Sequence, residues 1–438
     1  MLSQNQLELT SIGLGSESLL PEQEIDGSGL EVSVNIPARP EVELLFCCTR
    51  TCMDPISAER IRSLLREDMD WSYLLQTASR WKVRPLLYRS LNAIYLEGVP
   101  EAILAQLRNH FHTNAQRNLF LVGELLKILR LFEIQGIPAI SFKGPVLAAS
   151  VYTNFALREC GDLDLLVRKQ DVIKAKSLLI SKGYRSTQQL TDTQEVACLK
   201  SHLGYHLAYD DGNVAVELHW RITPAYFAFP FDLDCLWEDL EPTPLAGTTI
   251  RHLSAQELLL ILCVHGAKHH WERLSWICDI AELVRAHEEL DWGRVLAQAG
   301  RLGCKRMLFL GLFLANNLLE ADLPEEVWSK IQADPVVKPL ATQMYEHLFS
   351  EEGGAYGGTE WHIYHLRIKE RWRDRLRYFL HWGCNRVAPD AEDQTVLPLS
   401  PFLSFFYYLL RPNRLVREVG LDSSKYLLRL LKYLLGFQ

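Results

Sequence analysis

The segment Gly161-Asp162-Leu163-Asp164-Leu165-Leu166-Val167 constrains this chain more than any other stretch. Its alternation predicts a strand in which Leu163, Leu165 and Val167 face a core while Asp162 and Asp164 share the opposite face. Two carboxylates held side by side repel and need compensation. Either Arg and Lys partners supply it or a divalent cation does, and Mg²⁺ held by one or two carboxylates plus substrate phosphates is a recurrent solution.

The surroundings of that strand read as a small α/β unit. Ile137–Phe142 is short, apolar and β-like, and Pro145 suits the first turn of a helix beginning near Val146. Gln170–Lys182 reads as a helix closed by Gly183. His202–Tyr209 and Val214–Trp220 flank Asp210-Asp211-Gly212-Asn213, a hairpin signal. On the second hairpin strand, Val216 and Leu218 face the core and Glu217 and His219 the other side. Glu217 is either a third acid beside Asp162 and Asp164 or an ordinary solvated strand residue. Three carboxylates on one sheet face would suit two Mg²⁺ ions and an in-line displacement at phosphorus. Lys143-Gly144 at the strand-to-helix junction supplies the complement, a point charge and a close backbone approach to an anion. Arg158 offers a further phosphate contact, and His219 a substrate contact or a sheet hydrogen bond.

On either side the pattern is helical. Residues 1–40, rich in Ser, Gly, Glu and Gln, predict a disordered leader. Residues 41–135 predict an N-terminal helical region ending in a long amphipathic helix over Asn118–Ile134. Residues 136–223 form the α/β domain, and after Pro224 the chain returns to helices through residue 438. These helices are Ala255–His270, Trp276–His287, Trp292–Leu302, Lys305–Leu319, the basic Tyr364–Trp382 and Ser423–Phe437. His265, Lys268, His269, His270 and Arg273 form a dense polar group at the end of one of them. Zinc ligation, substrate or phosphate contact and structural capping are all open to it. Glycine at 266, where a metalloprotease carries Glu, weighs against zinc. Arg367, Arg371, Arg373, Arg375 and Arg377 read as solvated helix faces.

With 438 residues, two or three domains are expected, and 48% hydrophobic and 23% charged residues are those of a globular chain. The formal net charge of -8 disfavours a long nucleic acid as partner. Ten scattered cysteines point to reduced, cytoplasmic thiols, and Cys47, Cys48 and Cys52 have no answering group at zinc-site spacing. The apolar runs Leu258–Val264, Met307–Ala315 and Phe402–Leu410 are shorter than the roughly 20 residues of a membrane span.

The run Phe142-Lys143-Gly144, Arg158, Gly161–Val167, Gly183-Tyr184 and Glu217-Leu218-His219-Trp220 resembles the uncharacterised nucleotidyltransferase family of bacteria, within the polymerase-β-type superfamily. The likeness extends to Val264–His269 and Trp276–Ala281, and so over roughly residues 40–410. It implies an α+β fold in which a small mixed-sheet palm domain is embedded between mainly helical regions. It also implies that Asp162, Asp164 and Glu217 are catalytic metal ligands for Mg²⁺, with Lys143, Gly144 and Arg158 binding nucleotide. ATP would be the foremost donor, and the acceptor a small molecule, peptide or protein. His265, Lys268, His269 and Arg273, with His219, would contact substrate. Where the superfamily usually has Gly-Ser, this chain has Lys143-Gly144, and the connection to Asp162 is longer. The alternatives are an inactive nucleotide-binding or regulatory module of the same fold, and a different phosphate-group transfer.

Overall fold

The computed structural model describes residues 39–387 apart from 52, 95–97, 153, 188–191, 210–211, 228, 230–232 and 350–358. The expected leader, the Ser423–Phe437 helix, the Phe402–Leu410 run, Cys52 and the hairpin's Asp210-Asp211 lie outside the described residues. Four short helices come first, Pro40–Cys48, Pro55–Leu64, Trp71–Arg80 and Arg84–Ala93. Two of them begin at aspartates whose side chains accept from the third residue on, Asp54 from the Ser57 amide at 2.8 Å and Asp70 from the Tyr73 amide at 2.9 Å. The next helix, Glu101–Ile134, is 34 residues long and starts 17 residues before the expected Asn118. Its first half fully buries only Leu107 and Asn114, although Ile103, Leu104, Leu107 and Phe111 recur at helical spacing there.

A five-stranded mixed sheet follows: β1 (Ala139–Ser141), β2 (Leu163–Val167), β3 (Tyr184–Ser186), β4 (Gly204–Tyr209) and β5 (Ala215–His219). Their order is β1-β2-β5-β4-β3. β2 and β5 run parallel and every other neighbouring pair is antiparallel. This α+β arrangement, with helices before and after a small mixed sheet, is the expected one. One sheet face packs Leu163, Leu165, Val167, Val216, Leu218, Tyr205 and Leu207 against Leu121, Leu125 and Phe132 of the long helix. The other face carries the acids.

The return to helices after Pro224 needs one correction. Glu241–Leu245 (β6) and Thr248–His252 (β7) form a hairpin, closed by Ala246 and Gly247, both at positive φ. Pro242 and Pro244 hide β6 from a sequence reading, because proline in a run argues against a paired strand. Leu245 and Ile250 join the sheet's core. His252, 2% exposed, ends β7 with no partner for Nε2 among the described residues. Burial pushes its ring down to about 4. A neutral buried base is lost from the folded state on protonation, so stability falls as pH drops from about 6.5 to about 4. His252→Leu is expected to remove roughly 3 kcal/mol of that acid sensitivity. Urea titrations of both proteins at pH 7 and pH 4.5 measure it, and parallel losses would remove His252 from the account.

The helices Ala255–Lys268, Leu274–Ala286, Trp292–Leu302 and Lys305–Leu319 lie close to their expected bounds. Glu325–Gln332 and Val337–Phe349 follow. Gly266 is required by packing, since a Cβ there would fall 2.3 Å from the Trp271 ring. The expected Tyr364–Trp382 helix is two, Thr359–Arg367 and Trp372–Val387. At the break, the Arg371 guanidinium donates to the Gly300 carbonyl, and Arg375 Nε to the Lys369 carbonyl at 2.7 Å. These two arginines therefore tie backbone together rather than coat a solvated face. Among the described residues no helix is long and apolar enough to cross a membrane.

Candidate functional site

Parallel pairing of β2 with β5 puts Asp164 opposite Glu217 and Leu166 opposite His219. β4 then adds His206 opposite Glu217. Directly paired residues share a sheet face, so this register gathers Asp164, Glu217, His219 and His206 on one side. His219 Nε2 lies 3.0 Å from Asp164 Oδ1 and 3.2 Å from Glu217 Oε2, and His206 Nδ1 lies 3.2 Å from Glu217 Oε1. Lys143 Nζ reaches Asp164 Oδ1 at 3.1 Å. Lys143 caps the Gly144–Val151 helix in extended conformation. Gly144 takes φ +62°, and a Cβ on it would approach the Asp162 carbonyl to 3.0 Å, so both conformation and contact demand glycine.

The acids sit in unlike environments. Burial, then the charges of Asp164 and Glu217, push Asp162 up to about 6. Burial opposes ionisation of Asp164 too, but Lys143 and His219 outweigh it and hold that carboxyl down at about 2. For Glu217, hydrogen bonds from His206 and His219 overcome burial and hold it well below the usual carboxylate range.

A cavity of about 640 Å³ opens over this face. Its wall holds Asp162, Asp164, Glu217, His219, Lys143, Gly144, Arg158, His265, Lys268, His269 and Arg273, the residues to which the family resemblance gives a role in the site. Burial and the Lys143 charge push Lys268 down to about 8. Burial, with Lys268 and Lys143, takes His269 down to about 3, and burial with Lys143 holds His265 well below its ordinary value. His270 parts from this group. It and Trp271 adopt φ +55° and +52°, and its ring stacks on Trp361 with centroids 3.9 Å apart, outside the cavity wall.

Arg158 reaches the cavity already committed on one edge. Its Nε and Nη2 contact the two Asp279 oxygens at 2.8 and 2.9 Å, and Tyr152 Oη donates to Asp279 at 2.9 Å. Two asparagines one helical turn apart hold the backbone leading to it. Asn114 donates to the Ala156 carbonyl at 2.8 Å, and Asn118 to the Phe155 and Arg158 carbonyls at 2.7 and 2.8 Å. Neither asparagine was a sequence candidate, although polar residues four apart on an amphipathic helix are a readable signal. Glu159 was missed as well. It meets His110 at 3.2 Å, Arg84 at 3.5 Å and Lys82 at 3.6 Å, where the N-terminal helices join the cavity rim.

The donor set suits a divalent cation. Asp164, Glu217 and His219 each offer a ligand atom, all within 4.8 Å of one another, and Asp162 lines the same cavity with a carboxyl that its acidic neighbours destabilise. Carboxylate oxygens favour a hard ion, and the His219 ring already bridges two of the acids.

A small mixed sheet with an acidic face, set between helical regions, is the architecture of a nucleotidyltransferase. A family model described as uncharacterised nucleotidyltransferase matches residues 67–320. That is more than half of the chain, and the chain belongs to this family. No curated protein and no solved structure matches it.

Proposed function

We propose that the chain moves a nucleoside monophosphate from a nucleoside triphosphate, ATP foremost, to an acceptor hydroxyl, releasing pyrophosphate. The observation that carries this reading is the Asp164–Glu217 register beneath Lys143, which sets acids and a cation at one cavity. Asp162, Asp164 and Glu217 would hold Mg²⁺, which when bound stabilises the attacking and leaving oxygens of an in-line displacement. His219 keeps Asp164 and Glu217 together through Nε2. Lys143, the Gly144 turn and Arg158 take phosphate oxygens, Arg158 oriented by Asp279. Lys268, His265, His269 and Arg273, on the helices facing the sheet, contact substrate. Residues 136–223 are the catalytic unit on this reading, with the described helices before and after them shaping the acceptor side. A small molecule, peptide or protein side chain fits the chain's acidity better than a long nucleic acid, and the setting is cytoplasmic.

The direct test incubates purified protein and Mg²⁺ with each α-labelled triphosphate and a cell extract, then identifies by mass whatever acquires the label. Labelled acceptor supports transfer. Magnesium-dependent nucleotide binding with no labelled product from any triphosphate would establish the inactive module instead. Lys143→Ala is expected to raise the Michaelis constant for the nucleotide more than it lowers the turnover number, the signature of a contact made equally in ground and transition states. Steady-state kinetics against ATP decide it. A fall in turnover number alone would place Lys143 at the transition state.

A further inference from the structure

We propose that Trp276 is the stacking platform for the nucleobase of the donor, an inference that rests on the nucleotidyl-transfer reading and adds the part of the site that holds the base. A nucleotide brings one flat aromatic group and a chain of anionic ones, and the cavity wall divides the same way. On the sheet side it is charged, with Asp162, Asp164, Glu217 and Lys143. On the helical side three aromatic rings adjoin. His265 and His269 have centroids 4.8 Å apart, and Trp276 lies 5.1 Å from the first and 5.4 Å from the second. Phe142 also borders the cavity, but it is 3% exposed and packed edge-on against His219. Trp276 is only half-buried, so it offers the larger ring surface to a ligand.

The surroundings of that ring suit a neutral, polarizable partner. Both histidines are held neutral by burial and by the nearby lysines, so they add ring surface without adding charge. The exposed Arg273 guanidinium lies over the Trp276 ring, 5.2 Å from its centroid, so a base stacking on that face takes the place this solvent-facing cation holds. His265 is also close enough to Lys143 and Arg158 to feel their charge, so the aromatic wall adjoins the groups that take phosphate. Stacking of this kind tolerates any base, since each presents a π-face.

The experiment compares binding of ATP and of inorganic tripolyphosphate, each with Mg²⁺, to the full chain and to its Trp276→Leu and Trp276→Phe variants by calorimetry. Trp276→Leu is expected to weaken ATP about tenfold while tripolyphosphate binds as before, and Trp276→Phe to recover most of the ATP affinity. Unchanged ATP affinity in Trp276→Leu, with tripolyphosphate binding intact, overturns the stacking role and leaves the transfer reading standing. Equal losses for both ligands overturn it as well and make Trp276 a structural residue. If the unaltered chain binds neither ligand, the transfer reading fails and this inference with it.

Discussion

Asp162→Asn and Asp164→Asn are expected to silence transfer alike, by at least about a thousandfold, while moving the stability of the metal-free protein in opposite directions. Loss of either carboxylate removes a ligand from a site whose cation stabilises charge in the transition state. The difference lies in what each acid costs at rest. Asp162 has burial, Asp164 and Glu217 working against its charge. An acid whose folded pKa is raised penalises the fold as pH climbs from about 4 through about 6, and at pH 7 that penalty is fully present. Asparagine removes it, so Asp162→Asn should gain roughly 2 kcal/mol at pH 7 in EDTA and nothing below pH 4. Asp164 is compensated by Lys143 and His219, and a neutral amide in its place leaves Lys143 without its counter-charge, so Asp164→Asn should lose stability at pH 7. From the sequence, the two acids looked interchangeable. Urea denaturation in EDTA beside a transfer assay reads both effects. Retained activity with retained Mg²⁺ dependence in either variant would end the metal assignment.

Asp279→Ala is expected to destabilise the fold by about 3–5 kcal/mol, because it leaves the Arg158 guanidinium buried without its counter-ion. Asp279 is fully buried and takes two hydrogen bonds from Arg158 and one from Tyr152. The urea midpoint should fall with an unchanged slope. Pairing it with Arg158→Met should recover most of the loss, since replacing both partners by apolar groups avoids the stranded charge. A single-variant loss below about 1 kcal/mol would show that water reaches Arg158 and screens it. Because Arg158 also lines the cavity, the same substitution should weaken nucleotide binding in whatever protein remains folded.

Much of the architecture was legible because it is written at short range. Strand alternation around Asp162 and Asp164, the hairpin carrying Glu217, and Gly144 followed by Pro145 are each local patterns with a local physical cause. The helix Lys305–Leu319 was read to the residue, since an apolar run between a cysteine and an acidic joint has few other solutions. Where the local signal was weak or contrary, the reading failed. The apolar residues in the first half of the Glu101–Ile134 helix, Ile103, Leu104 and Phe111 among them, are only half-buried, and β6 carries two prolines that its pairing tolerates.

The sequence by itself determined which chemistry-bearing residues exist and which of them share a strand or helix face, because periodicity of 2 and 3.6 follows from backbone geometry alone. Only the tertiary structure decided their partners. It set Arg158 against Asp279, 121 residues away, and turned His270 out of the cavity onto Trp361 while keeping His265 and His269 inside. It also separated Asp162 from Asp164 in charge state: the sequence reads both onto one strand face, but β2 begins at Leu163, so Asp164 lies within the strand and Asp162 just before it. The reason is that a side chain's electrostatics depend on burial and on neighbours within a few ångströms, and packing of distant segments, not spacing along the chain, supplies those neighbours.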